Sequence, residues 1–204
     1  DAIRTAFSAA RDRKNRIMIV DAVDDANLRV IGEALAGMKL VTGGSGIALG
    51  LPENFRRAGK LSPKSESRFI DPPGGRSVIL AGSCSAATRR QVEFAIASGT
   101  PALKIDPLAI AQKSLSAQDV VEWVQASTHA APLVYSSAHP DAVKAAQEML
   151  GREKAGTLVE NLLADVALAL RMAGFRRFII AGGETSGAVV NALGCKALRI
   201  GPEI

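Results

Sequence analysis

Aromatic side chains make up only 4% of this chain, with one Trp and one Tyr, so the stacking platforms on which proteins hold unpaired bases are missing. The formal charge is +5, but the basic residues are scattered apart from Arg11-Asp12-Arg13-Lys14, and nucleic acid is not an expected partner. Two cysteines, Cys84 and Cys195, are too few for a disulfide framework and form no CxxC pair. They read as small buried residues of a protein in a reducing cytoplasm. Histidine is as scarce: His129 and His139 stand at helix ends and form no HExxH, so a zinc site has no support and no metal ligand is assigned. No apolar run reaches the ~18 residues of a membrane span, and Asp1-Ala2-Ile3-Arg4 does not open a signal peptide, so a soluble protein without a membrane partner is expected. The first residue is not Met and the end, Gly201-Pro202-Glu203-Ile204, follows an apolar run directly, as in a piece of a longer polypeptide.

What is present is core material: 48% of residues are hydrophobic and 22% charged, with 19 glycines. One domain across residues 1–204 is expected, with the Pro- and Gly-interrupted stretch 59–77 as a surface loop or linker inside it. Short apolar runs at 16–20, 39–42, 78–81, 101–105, 132–135, 178–181 and 197–200 read as strands. Helical patterns over 26–35, 86–98 and 116–126, a pair of helices within 140–173 broken near Gly151, and a helix over 188–193 fall between them. Ser116 and Asp119 mark a helix start, Gly99 and Gly174 helix ends, and Trp123 a core position. Unbroken Val, Ile and Leu runs mean strands buried on both faces. The class is therefore α/β: a mainly parallel sheet with helices on both faces, in three layers.

Ligands of such sheets sit beyond the carboxyl ends of the strands. Three turns there are rich in Gly and hydroxyls: Thr42-Gly43-Gly44-Ser45-Gly46, Gly82-Ser83-Cys84-Ser85 and Gly182-Gly183-Glu184-Thr185-Ser186-Gly187. Glycine admits an anion to the backbone, hydroxyls add donors, and a helix starting there offers free N–H groups, so each turn is a plausible phosphate cradle. The same residues also make ordinary turns and N-caps. There is no P-loop lysine, the spacing after Gly44 fails the dinucleotide fingerprint, and no GxSxG elbow occurs. Asp21, Asp24 and Asp25, and likewise Asp106, would suit Mg2+ held through water or, as favoured here, the capping of the following helix.

The blocks Val78 to Gln91, Ala181-Gly182-Gly183-Glu184-Thr185-Ser186-Gly187-Ala188, Leu198-Arg199-Ile200-Gly201-Pro202-Glu203-Ile204 and Val20-Asp21-Ala22 with Thr42 to Ala48 resemble, in this order, the four-carbon acid sugar kinase family. The segment Gly46 to Phe55 is most similar to its 3-oxo-tetronate 4-kinase branch. The resemblance implies the nucleotide-binding carboxy-terminal domain of a two-domain cytoplasmic enzyme. That enzyme moves the γ-phosphate of ATP, with Mg2+, to the terminal hydroxyl of a small sugar acid held by a missing amino-terminal domain. It implies ATP contacts at Ser83, Ser85, Gly182, Gly183, Glu184, Thr185, Ser186 and Gly187, with Gly44, Ser45 and Gly46 as weaker candidates. The catalytic residues are unknown, since the base is expected in the missing half, and the isolated segment should bind nucleotide without turnover. A homodimer is carried as one option for assembly. The competing reading is a non-catalytic module for phosphate or sugar phosphate.

Overall fold

The computed structural model describes residues 2–62, 73–136, 144–145, 148–199 and 201. Where one domain was expected, the chain divides into two compact units, Asp1–Arg68 and Phe69–Ile204. Within the expected loop at 59–77, residues 63–72 lie outside the described residues, and Ser77 already belongs to a strand.

The first unit is helical. It holds α1 (Ala2–Asp12), α2 (Asp25–Ala34), a 3-10 turn (Ser45–Leu49) and α3 (Leu51–Arg57). Asp24 caps α2 by accepting the N–H of Asn27 at 2.8 Å, so its capping role is the one realised. Gly32 on α2 meets Gly50 so closely that a Cβ on either would collide with the other's backbone, and Asn54 Nδ2 donates to the Gly32 carbonyl at 2.6 Å. The expected strands at 16–20 and 39–42 are irregular here, with Ile17, Ile19 and Leu40 84%, 89% and 85% exposed. Their apolar pattern is that of a buried strand, but a strand needs neighbours to take up its N–H and C=O groups. None is found among the described residues of this unit.

The second unit carries the sheet. Its elements are β1 (Ser77–Ala81), α4 (Ala86–Ala97), β2 (Ala102–Lys104), α5 (Pro107–Ala111), α6 (Ala117–Ala126), β3 (Leu133–Tyr135), α7 (Arg152–Met172), β4 (Arg177–Ala181) and α8 (Gly183–Ala192). All four strands are parallel in the order β2-β3-β1-β4, with Ile79 opposite Leu133 on one side and Ile179 on the other. Alternate residues of β1 serve opposite faces. Val78 and Leu80 join Val124, Leu163, Val166 and Val189 in the larger core, whereas Ala81 packs with Leu133 and Val92 of α4. Helices thus cover both faces, as the unbroken apolar runs imply.

Three expectations in this unit are corrected. Of the strand expected at 197–200, residues 197–199 form none and Ile200 lies outside the described residues; the segment follows Gly194, whose φ of 67° turns the chain as α8 ends, and Leu198 is 72% exposed. Cys84 is half-buried and Cys195 exposed, rather than buried. The final helix begins at Gly183, not at residue 188, which makes the supposed turn its first turns. Gly151 and Gly174, with φ of 83° and 93°, bound α7 as anticipated; the residues before it are only partly described, and His139 lies outside them.

Two side-chain devices hold α6. Arg76 donates from Nη2 to the carbonyls of Val124, Gln125 and Ser127 at 3.0–3.1 Å and stacks its guanidinium 4.5 Å from the Phe175 ring centre. At the other end, Asp119 Oδ2 accepts from Ser116 N at 2.8 Å and Ser116 Oγ at 2.6 Å, closing a capping box. The Ser116 hydroxyl, and then its N–H, hold the Asp119 carboxyl below the ordinary aspartate range. A depressed folded-state pKa adds stability above the ordinary aspartate range, and that stability drains away as pH falls through the folded value. Asp119→Asn is therefore expected to melt below the wild type at neutral pH, with the gap closing on acidification. Thermal melts from neutral to strongly acidic pH check this, and a gap that stays constant would contradict it.

Candidate functional site

The carboxyl ends of the four strands open into a cavity of about 1140 Å³ within the second unit. Gly82, Ser83 and Cys84 enter it after β1, Ile105 and Asp106 after β2, Ser136 after β3, and Gly182 to Thr185 after β4. The first turns of α7 form a further wall, with Glu153, Gly156, Thr157 and Glu160. Two of the three glycine-rich turns thus meet, because β1 and β4 are neighbours in register from Ser77↔Arg177 to Ala81↔Ala181.

Their meeting is tight. The site of a Cβ on Gly82 is already taken by Thr185 Oγ1, with Leu163 Cδ1 3.2 Å away, so only glycine fits. Gly182 has φ 122°, a conformation that side chains strain, and lies against Ser83. It stands as the N-cap of α8 without any side-chain cap, and the first helical bond runs from Ser186 N to Gly182 O at 2.9 Å. The N–H groups of Gly183, Glu184 and Thr185 therefore have no acceptor within the helix. Nothing lies within 4 Å of a Cβ built on Gly183. Thr185 is 3% exposed and lines the cavity, and its hydroxyl has no hydrogen-bond partner among the described residues. Free N–H groups, a helix dipole and a hydroxyl on the cavity wall are groups that could hold an anion.

Not every expected residue is there. Ser186 and Gly187 lie deeper in α8, outside the cavity wall. Ser85 is turned away: its Oγ caps α4, accepting from Thr88 N at 3.1 Å and donating to Thr88 Oγ1 at 3.0 Å. Ser83 lines the cavity, its Oγ accepting from Ser85 N at 3.2 Å. Gly44, Ser45 and Gly46 belong to the first unit, where a Cβ on Gly46 would come within 2.9 Å of Leu28 Cδ1 on α2.

Other cavity residues went unmarked in the sequence. Ser136 follows β3, is 7% exposed, and donates to the Gly82 carbonyl at 3.3 Å; its position after a strand was the available signal. Asp106, by contrast, was marked as a Mg2+ or capping candidate; it caps α5, accepting from Leu108 N at 2.9 Å, and lines the cavity. Lys104 and the start of α7 gave no local signal. Among the described residues, the wall sets four acidic residues, Asp106, Glu153, Glu160 and Glu184, against one lysine, Lys104. Among the described residues, no three His, Cys, Asp or Glu side chains group so as to hold a metal ion, and no helix is long and apolar enough to cross a membrane. His129 is exposed, and its Nδ1 accepts from Ala131 N at 3.2 Å.

A parallel α/β sheet with a glycine-built anion cleft at its carboxyl edge belongs to the broad class of nucleotide- and phosphate-binding domains. Comparison narrows this. The family described as "Nucleotide-binding C-terminal domain" matches residues 78–204, and "Sugar-binding N-terminal domain" matches residues 1–51. A 3-oxo-tetronate kinase of Cupriavidus necator is 52% identical over 199 residues, 97% of this chain and 46% of its own length. One from Escherichia coli K12 is 38% identical over 208 residues, all of this chain and 53% of its own. A crystal structure of a Haemophilus influenzae protein superposes with a TM-score of 0.62 at 37% identity, covering 94% of this chain and 45% of that one. The chain belongs to the four-carbon acid sugar kinase family, and it spans about half the length of the curated relatives it matches.

The two serines separate by experiment. Ser85→Ala removes an N-cap and is expected to cost about 1 kcal/mol of stability with little effect on ATP binding. Ser83→Ala should weaken ATP binding while leaving the melting temperature near wild type. Paired urea titrations and calorimetry would show it, and the reverse pattern would exchange their roles.

Proposed function

We propose that this chain is the ATP-binding half of a kinase that phosphorylates the terminal hydroxyl of a four-carbon sugar acid such as 3-oxo-tetronate. The observation that carries this reading is the uncapped amino end of α8, open at Gly183 and set beside the Thr185 hydroxyl, which has no hydrogen-bond partner among the described residues, in a cavity at the sheet's carboxyl edge. The names of the relatives supply the reaction and the acid. In this reading Ser83, Gly182, Gly183, Glu184 and Thr185 hold the phosphates, and residues 69–204 form the nucleotide domain. Residues 1–51 are the end of a sugar-binding domain, whose other strands would cover Ile17, Ile19 and Leu40.

The ligand is the magnesium complex of ATP. Four wall carboxylates oppose a bare polyphosphate, and with no grouped ligand set among the described residues the ion would be carried by the phosphates. When bound, Mg2+ neutralises charge on the transferring phosphate. The chain's own contribution is positioning: N–H groups of residues 183–185 fix the phosphates, and the Thr185 hydroxyl donates to an oxygen among them.

MgATP is expected to perturb the amide resonances of Gly183, Glu184 and Thr185, with ATP in excess EDTA and simple sugar phosphates much weaker. Gly183→Val keeps the fold, since its side chain enters open space, yet should abolish the perturbation. The chain alone should not turn ATP over with a four-carbon acid. Response to sugar phosphate and not to MgATP would replace this reading with a sugar-phosphate module.

A further inference from the structure

Gly82 can carry no side chain, because Thr185 Oγ1 already occupies the place of its Cβ, and a glycine backbone has the most freedom to turn. That freedom falls between the end of β1 and Ser83, where the cleft needs a fixed direction. Ser136, the residue after β3, restrains it. The ladder between β1 and β3 asks only for its backbone: Ser136 N donates to Ala81 O at 2.9 Å, as any residue but proline could. Its hydroxyl is therefore surplus to the sheet, and a buried hydroxyl costs stability unless it is bonded. At 7% exposure, Ser136 Oγ donates to the Gly82 carbonyl at 3.3 Å, and the Ser136 carbonyl accepts from Cys84 Sγ at 3.9 Å. Bonds thus run from Ser136 to the residues on both sides of Ser83. A trans peptide points its C=O and N–H in opposite directions. In the order β3-β1-β4, a Gly82 carbonyl turned toward β3 sends the Ser83 N–H toward β4. Ser83 N does lie 3.3 Å from the place of a Cβ on Gly182, the N-cap of α8.

We propose that Ser136 is a positioning residue for the grip on phosphate: by holding the Gly82 carbonyl it fixes the 82–83 peptide and keeps Ser83 beside the amino end of α8. It acts through Gly82 and not by touching the nucleotide. The inference rests on the nucleotide reading above and deepens it by naming what holds the β1 loop in register with α8. Gly82 is confined from two sides, by the Thr185 side chain at its Cα and by the Ser136 hydroxyl at its carbonyl. Packing alone bars a side chain there but leaves the peptide free to rotate; the hydroxyl removes that rotation.

Threonine and valine at this position separate the hydroxyl from bulk, since the two side chains match in size and only one can donate. In the 204-residue chain, Ser136→Ala and Ser136→Val should each weaken MgATP binding roughly three- to tenfold. Magnesium tripolyphosphate should weaken by the same factor, because the β1 loop meets the phosphates. Ser136→Thr should bind both probes to within about twofold of the wild type. In the ligand-free chain the Ser83 amide resonance should move in the Ala and Val variants and return toward its wild-type position in the Thr variant. A serine of merely structural worth would change the melting temperature and leave the affinity of folded molecules, measured well below the melt, as it is. Wild-type affinity in the Ala and Val variants, or equal losses in Thr and Val, would overturn the role of the hydroxyl while leaving the nucleotide reading in place. Wild-type chain that binds neither probe would overturn that reading, and the positioning role with it.

Discussion

Thr185 rests on the bare Cα of Gly82, and the rest of the cleft depends on that contact. A methyl group at residue 82 would overlap the Thr185 hydroxyl and press on Leu163, pushing α8 from the end of β1. The uncapped N–H groups of α8 would then no longer face the loop bearing Ser83. Burial reinforces the arrangement, because Thr185 and Ser136 are 3% and 7% exposed and Ser136 donates back to the Gly82 carbonyl. One glycine thus ties together the ends of β1, β3 and β4, and the geometry of an anion site follows from a packing constraint.

The sheet was legible because its signal is local. Each unbroken run at 78–81, 132–135 and 178–181 contains its own evidence of two-sided burial, and each proves to be a parallel strand. The same pattern misled at 16–20, 39–42 and the described part of 197–200, since an apolar run reports a wish for neighbours and not their presence. Ile19, 89% exposed, has the composition of a core strand and nothing described to pair with. Ser83 and Ser85 were indistinguishable in sequence for a related reason. Both follow β1, and only the direction of the chain into α4 makes one a cap and leaves the other in the cavity wall. The start of α7, which closes the cavity from above the sheet edge, reaches it through tertiary packing on α5 and α8 and leaves no local trace.

Beginning α8 at Gly183 rather than five residues later changes the chemistry available. A loop at 182–187 would have offered scattered N–H groups of uncertain direction, whereas a helix aims its first N–H groups along one axis and adds the dipole's partial positive charge. The glycines of the segment then part company. Gly182 is required by its φ of 122°, whereas a Cβ on Gly183 would enter open space.

Charge decides what such a cleft can accept. A carboxylate about 6 Å from a phosphate charge costs about 3 kcal/mol at an effective dielectric constant of about 20, while a helix terminus returns only about 0.3–2 kcal/mol. With Asp106, Glu153, Glu160 and Glu184 in the wall and Lys104 as the one cation there among the described residues, the amino end of α8 is outweighed for a bare polyphosphate. A divalent ion travelling on the phosphates reverses that balance, because it cancels two charges of the ligand and turns the nearest carboxylates from repulsive to attractive. The acidic wall that argues against free ATP therefore favours its metal complex. In the proposed complex the cleft's selectivity between the two comes from charge.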